Sequence, residues 1–154
     1  MIERLNNKKH AAELIEFCSR NFDSDFYFTE DNSRVYVTDR TSLNKMFKNC
    51  KVSYVSYNKG DINGVVLVWK SVGGDKVRDY VKFNVASSRV LRDLLTVLTW
   101  NNGQELYMKI KKDSNCLSVA KSKGFRFEAG RGLQVLLKKD KRIGKDQVFI
   151  KSDE

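Results

Sequence analysis

Over residues 76–110 the apolar pattern changes period twice, and few arrangements of a chain satisfy both changes. Val77, Val81, Phe83 and Val85 share one face of a period-two segment at 76–85, the mark of a strand. After Ala86 the period becomes 3.6. Val90, Leu91, Leu94, Leu95, Val97 and Leu98 form a wide apolar stripe that ends near Trp100, and Asn101-Asn102-Gly103 stops the helix. Residues 105–110 are extended again. A strand, a helix and a strand in this order make a right-handed crossover, which sets the two strands parallel and side by side with the helix packed on them.

The rest of the chain surrounds this unit with antiparallel pairing. Residues 51–57 alternate, Asn58-Lys59-Gly60-Asp61 turns, and 65–70 returns as a hairpin partner. A second turn at Gly73-Gly74-Asp75 joins that strand to 76–85, completing a three-strand meander. Upstream, Ala11, Leu14, Ile15 and Cys18 mark an amphipathic helix over 11–20, and His10 reads as a surface residue ahead of it. Extended segments at 26–28 and 34–38 flank the turn Glu30-Asp31-Asn32-Ser33, and Thr41 or Ser42 caps a short helix through Lys48. Downstream come a short helix over 115–121, stopped by Gly124, and strands at 125–128 and 133–138. The expected fold is α/β (α+β): a mixed, mainly antiparallel sheet of six or seven strands with a central parallel pair, flanked by about four helices. Residues 1–154 read as a single domain, with 139–154 a basic tail or an extra edge strand through Val148-Phe149-Ile150.

Composition narrows the function classes. An apolar fraction of 41% supports a core despite 31% charged residues. The longest apolar runs, such as 64–69, fall far short of the roughly 20 residues that span a bilayer, and the first ten residues are too polar for a signal peptide. Soluble, cytoplasmic behaviour is expected. Cys18, Cys50 and Cys116 form no CxxC pair and read as small buried thiols, and one histidine excludes any two-imidazole site, so no metal is expected. The net charge of +10 and pI near 9.6 suit a polyanionic partner, nucleic acid or phosphate. Lys109, Lys111 and Lys112 cluster at a strand end, and Lys138, Lys139, Lys141, Arg142 and Lys145 form a C-terminal run. Tyr27, Tyr36, Tyr54, Tyr57 and Trp69 are the aromatics that could serve a binding surface. Asp79 and Glu105 read as charges at strand edges, and nucleotide-binding fingerprints are missing.

Residues 106–125, LYMKIKKDSNCLSVAKSKGF, resemble a stretch of the GNAT acetyltransferases, with a strand, a short helix with Asn near its start and a closing Gly-Phe. The order of elements resembles that superfamily from about Val52 to Lys138. The resemblance implies a V-shaped cleft between the parallel strands, acetyl-CoA as cofactor, and a pantetheine strand at 81–85 carrying Phe83, Asn84 and Val85. It places the pyrophosphate at a helix start with Ser87, Ser88, Arg89 and Val90; the family's Asn aligns at Asp113 in strict register, or at Asn115, as a cofactor residue, if the helix is slightly shorter. The family's glycine-rich loop is replaced by Ala86-Ser87-Ser88-Arg89, and Ala120 stands where many members carry an acidic tyrosine. The general acid would then come from Tyr107, Ser118 or solvent.

The function expected from this resemblance is acetyl transfer from acetyl-CoA to an amine, on a small molecule or on a protein N-terminus or lysine. The alternative is a GNAT-fold binding module without catalysis, acting in a protein assembly or on nucleic acid. The small, Lys/Asn-rich, proline-free chain also resembles phage-encoded proteins of the superfamily, which would place it in a host cytoplasm or a virion.

Overall fold

The structure is a computed structural model that describes residues 1–73, 76–101 and 103–141. Strand β1 (Ile2–Arg4) and helix α1 (Asn7–Arg20) precede a small hairpin of β2 (Phe28–Glu30) and β3 (Ser33–Val35), and helix α2 (Arg40–Lys48) follows. A meander of β4 (Cys50–Asn58), β5 (Asp61–Gly73) and β6 (Lys76–Val85) leads into α3 (Ser88–Asn101). The chain then forms β7 (Leu106–Lys111), α4 (Leu117–Ser122), β8 (Arg126–Arg131) and β9 (Gln134–Lys139). Seven strands make one sheet in the order β1-β4-β5-β6-β7-β9-β8, and β2-β3 stands apart. Among the described residues only β6 and β7 are parallel neighbours, as the crossover requires.

Local chemistry explains the element boundaries. Asn6 caps α1, its side chain accepting from the N–H groups of Lys8 and Lys9. In α2 the cap is Asp39, not Thr41 or Ser42. Ser42 is the reciprocal member of a capping box, its N–H donating to Asp39 Oδ1 at 2.8 Å while its Oγ accepts from the Asp39 N–H at 3.1 Å. The β4–β5 turn places Lys59 and Gly60 at φ of +53° and +85°, the two-residue geometry whose twist matches that of the flanking strands.

Each face of the sheet has its own core. One gathers Val81, Phe83 and the α3 leucines with Leu106, Met108 and Ala120, while the other joins α1, α2 and the hairpin through Leu14, Phe17, Leu43, Val65 and Leu67. Gly64 of β5 lets α3 lie close on the sheet. A Cβ there would stand 2.5 Å from Val90 Cγ1, closer than carbon atoms approach.

Several expectations need correction. His10 is not on the surface ahead of a helix; it lies inside α1 and is 1% exposed. Its Nδ1 accepts from the Asn6 N–H and its Nε2 lies 2.8 Å from Glu3 Oε1, so the ring ties β1 to α1. Strand β1 itself was not foreseen, because three residues show too little alternation to register. Cys50 is half-buried, whereas Cys18 and Cys116 are buried. Val77 is exposed despite its place in the period-two pattern. None of the five aromatics is fully open: Tyr54 is buried, and Tyr27, Tyr36, Tyr57 and Trp69 are half-buried. The turn residues Gly74 and Asp75, and the suggested strand at Val148-Phe149-Ile150 with the Arg142 and Lys145 run, lie outside the described residues.

Candidate functional site

The two parallel strands touch at one place. Tyr80 of β6 is matched with Tyr107 of β7, and no matched pair follows, whereas β6 is in register with β5 over all ten of its residues. Which backbone groups this leaves free follows from alternation. The Ala86 N–H donates to the Asn63 carbonyl at 2.9 Å, so pairs two residues apart along the ladder, at Asn84, Lys82 and Tyr80, also direct their backbone groups at β5. Val81, Phe83 and Val85 therefore turn theirs toward β7. Likewise the Lys112 N–H donates to the Leu133 carbonyl, so Lys109 and Lys111 face β6.

Side chains from the segment after α1 occupy both edges at the mouth of this slot. Asn21 Nδ2 donates to the Val85 carbonyl at 3.1 Å, and the Lys111 N–H donates to Asp25 Oδ2 at 3.2 Å. The bonds that would zip β6 to β7 are thus made to Asn21 and Asp25. No residue of β7 is matched with β6 beyond Tyr80–Tyr107, so the N–H and carbonyl of Phe83 and the N–H of Val85 face the gap between the strands as an open edge.

The expected site residues fall into separate places. Phe83 sends its side chain into the core beneath α3, and Val85 packs at its margin. Asn84 points to the opposite face, where its Nδ2 donates to the Asn21 carbonyl and its Oδ1 accepts from Asn21 Nδ2. Ser88 opens α3, with Ser87 and Arg89 exposed beside it and Val90 buried against Gly64. Asn115 is exposed in the turn before α4, and Ser118 is exposed on α4 itself. Tyr107 is buried at the closed end of the slot; its hydroxyl donates to Glu105 Oε1 at 3.2 Å, and the Arg78 guanidinium lies 4.5 Å from its ring centroid. Tyr107 alternates out of the α3 core whereas α4 belongs to it, so Tyr107 and Ser118 lie on opposite faces of the sheet. Asp79 pairs with Lys51 at 2.7 Å and is occupied there.

Behind the open edge lies a cleft that the sequence did not reveal, lined by Asp25, Tyr27, Trp69, Tyr80, Lys82 and Lys109 among others. Lys82 Nζ lies 5.1 Å from the Tyr27 ring centroid and 5.0 Å from that of Trp69, and Lys109 Nζ lies 5.4 Å from Tyr80. Burial, reinforced by the charge of Lys109, pushes the Lys82 ammonium down to about 8. The only sequence signal was Lys82 standing inside a strand, and nothing local tied it to Tyr27 or Trp69. Among the described residues no cluster of His, Cys, Asp or Glu could hold a metal ion, and no helix is long and apolar enough to cross a membrane.

A sheet with one splayed parallel pair, helices on both faces and a strand edge open in the splay defines the GNAT acetyltransferase fold. Solved structures agree. An acetyltransferase of the GNAT family from Streptococcus pneumoniae superposes with a TM-score of 0.64 at 18% identity, over 90% of this chain and 98% of that one. An N-acetyltransferase from Staphylococcus aureus Mu50 gives 0.66 at 12%, over 91% and 96%. The PaiA N-acetyltransferase from Thermoplasma acidophilum, solved in complex with coenzyme A, gives 0.59 at 11%, over 91% and 98%. No protein-family model matches the chain, and no curated protein matches it.

Proposed function

We propose that this protein is an acyl-CoA-dependent N-acyltransferase that moves an acetyl group from acetyl-CoA to an amine. The observation that carries this reading is the open edge of β6. Donor and acceptor groups of Phe83 and the N–H of Val85 line a slot of the kind that an extended, amide-bearing chain fills by adding itself as a strand. At the end of that edge α3 begins, and the N–H groups of its first turn have no intrahelical acceptor, as in any α-helix. Ser87, Ser88 and Arg89 stand beside them, and a helix start with an arginine suits a pyrophosphate. The residues present therefore fit a coenzyme A chain, even without the glycine that brings a backbone closest to phosphate.

When bound, the coenzyme would supply the acyl group as an activated thioester. The β6 edge would fix the direction of the chain, and the core under α3 would keep water from one side of the slot. The acceptor amine would come from the other side, through the cleft that holds Lys82. Tyr107, matched with Tyr80 at the closed end of the slot, would be the group that hands a proton to the departing thiolate. Ser118 is the second candidate, from the α4 side.

One observation favours a second reading, a binding module without turnover. Ala120, at the α4 position where the GNAT resemblance puts an acidic tyrosine, is fully buried, so α4 presents no phenol there. A calorimetric titration with acetyl-CoA, followed by a thiol-release assay on a panel of amines, tests both. Saturable heat and amine-dependent thiol release are expected. Heat without release selects the binding module, and no heat at millimolar acetyl-CoA contradicts the proposal.

A further inference from the structure

We propose that the acceptor is an amine carrying an oxyanion, a carboxylate or a phosphate, and that Lys82 and Lys109 hold this group in the cleft beneath the β2–β3 hairpin. The assignment to an acceptor rests on the acyltransferase reading; the oxyanion site stands on the cleft alone.

Two ammonium groups share this cleft, and among the described residues neither forms an ion pair. Four lysines elsewhere do so: Lys9 with Glu3, Lys45 with Glu30, Lys51 with Asp79 and Lys138 with Glu105. The cleft's own carboxylate does not answer the lysines. Asp25 Oδ1 accepts from Gln134 Nε2 at 2.8 Å, and its Oδ2 accepts from the Lys111 N–H. Aromatic faces lie 5.0 to 5.4 Å from the two ammonium groups, and among the described residues neither Nζ donates to an oxygen, which leaves donors for a ligand.

Like charges in a partly desolvated cleft repel, and the depressed affinity of Lys82 for its proton registers that repulsion together with its burial. An oxyanion between the two lysines would replace the repulsion with charge-assisted hydrogen bonds. A simple cationic amine would add a third positive charge instead. The cleft lies directly behind the slot, since Tyr80, Val81 and Phe83 border it, so a group anchored at Lys82 and Lys109 could carry a neighbouring amine to the strand edge.

The test uses the full chain carrying Trp100→Phe, which leaves Trp69, at the cleft wall, as the sole indole. Inorganic phosphate and succinate are titrated separately at constant ionic strength, with chloride as the control, and Trp69 fluorescence is read. A saturable change with at least one of them is expected, and the stronger probe identifies the oxyanion. Lys82→Met and Lys109→Met should each weaken it about tenfold or more, the loss of one charge-assisted contact. Lys138→Met, outside the cleft, should not. Lys109 is exposed, so Lys109→Met keeps the test alive should Lys82→Met fold poorly. No saturable response, equal affinity in both methionine variants, or displacement of the probe by acetyl-CoA overturns the inference. Parallel calorimetry separates the two proposals: acetyl-CoA heat without an oxyanion response removes this inference alone. An oxyanion response without acetyl-CoA heat removes the acyltransferase reading, and with it the assignment to an acceptor.

Discussion

Lys82→Met should make the protein more stable at neutral pH, although it removes a residue of the proposed acceptor cleft. The ammonium is held down to about 8 from an ordinary 10.5, chiefly by burial, and at about 1.4 kcal/mol per pKa unit this charge costs the fold about 3 kcal/mol. Methionine fills similar space without charge and forfeits the attraction of two rings, about 0.5–1 kcal/mol each. A net gain of about 1–2 kcal/mol remains, which corresponds to a rise in Tm of about 2–8 °C for a chain of this size. The pH dependence has a definite sign. Between about 8 and 10.5 the unfolded chain binds the proton that the folded chain has lost, so native stability rises with pH across that window. Below it the penalty is present in full. The advantage of the variant should therefore be greatest at pH 7 and shrink toward pH 10, which urea unfolding at several pH values will show. A variant less stable than the parent at pH 7 would mean that the ring contacts outweigh desolvation. Stability held back at a binding residue is the usual trade between function and fold.

Val85→Pro should abolish most acetyl-CoA binding while leaving the fold largely intact. The Val85 N–H faces the slot, where no residue of β7 is matched with it, so proline leaves the β5–β6 ladder intact. The Val85 carbonyl keeps its bond from Asn21. Asn84→Pro is the matched control. Its N–H points at β5, and proline there removes a ladder hydrogen bond together with the buried side-chain bonds to Asn21. Calorimetry should show acetyl-CoA affinity at least about tenfold weaker in Val85→Pro, the equivalent of one amide hydrogen bond lost from a ligand strand. Urea unfolding should show that variant far nearer the parent than Asn84→Pro. Native affinity in Val85→Pro would place the coenzyme elsewhere.

The fold was legible in the sequence to the extent that it rests on periodicity. The α3 leucine stripe and the alternation before and after it imply the parallel pair, and Lys59-Gly60 marks the hairpin. Apolar periodicity starts the helix at Ala11 and so leaves His10 outside it. His10, Leu14, Phe17 and Cys18 follow one another at helical spacing, but the first turn is Asn-Lys-Lys-His, and its stability comes from the Asn6 cap rather than from apolar side chains. The site was legible only in part. Residues 81–85 could be chosen as the ligand strand, yet which of them offer free backbone groups depends on register, and register is a property of paired strands. So Asn84 was grouped with Phe83 and Val85, although its backbone is directed at β5 and its side chain fastens α1. The Asn21–Val85 and Asp25–Lys111 bonds of the wedge, and the Lys82–Tyr27 contact of the cleft, join residues 55 or more positions apart in the chain. No local pattern carries such pairings.

The most direct measurement is amide hydrogen exchange, residue by residue, with and without acetyl-CoA. The Phe83 and Val85 amides should exchange fast in the free protein and become protected on addition of acetyl-CoA, while the Asn84 amide, already bonded to β5, stays slow throughout. Phe83 and Val85 amides that are protected before any ligand is added, or that remain unprotected at saturating acetyl-CoA, would contradict an open edge on β6 that receives the coenzyme as an added strand.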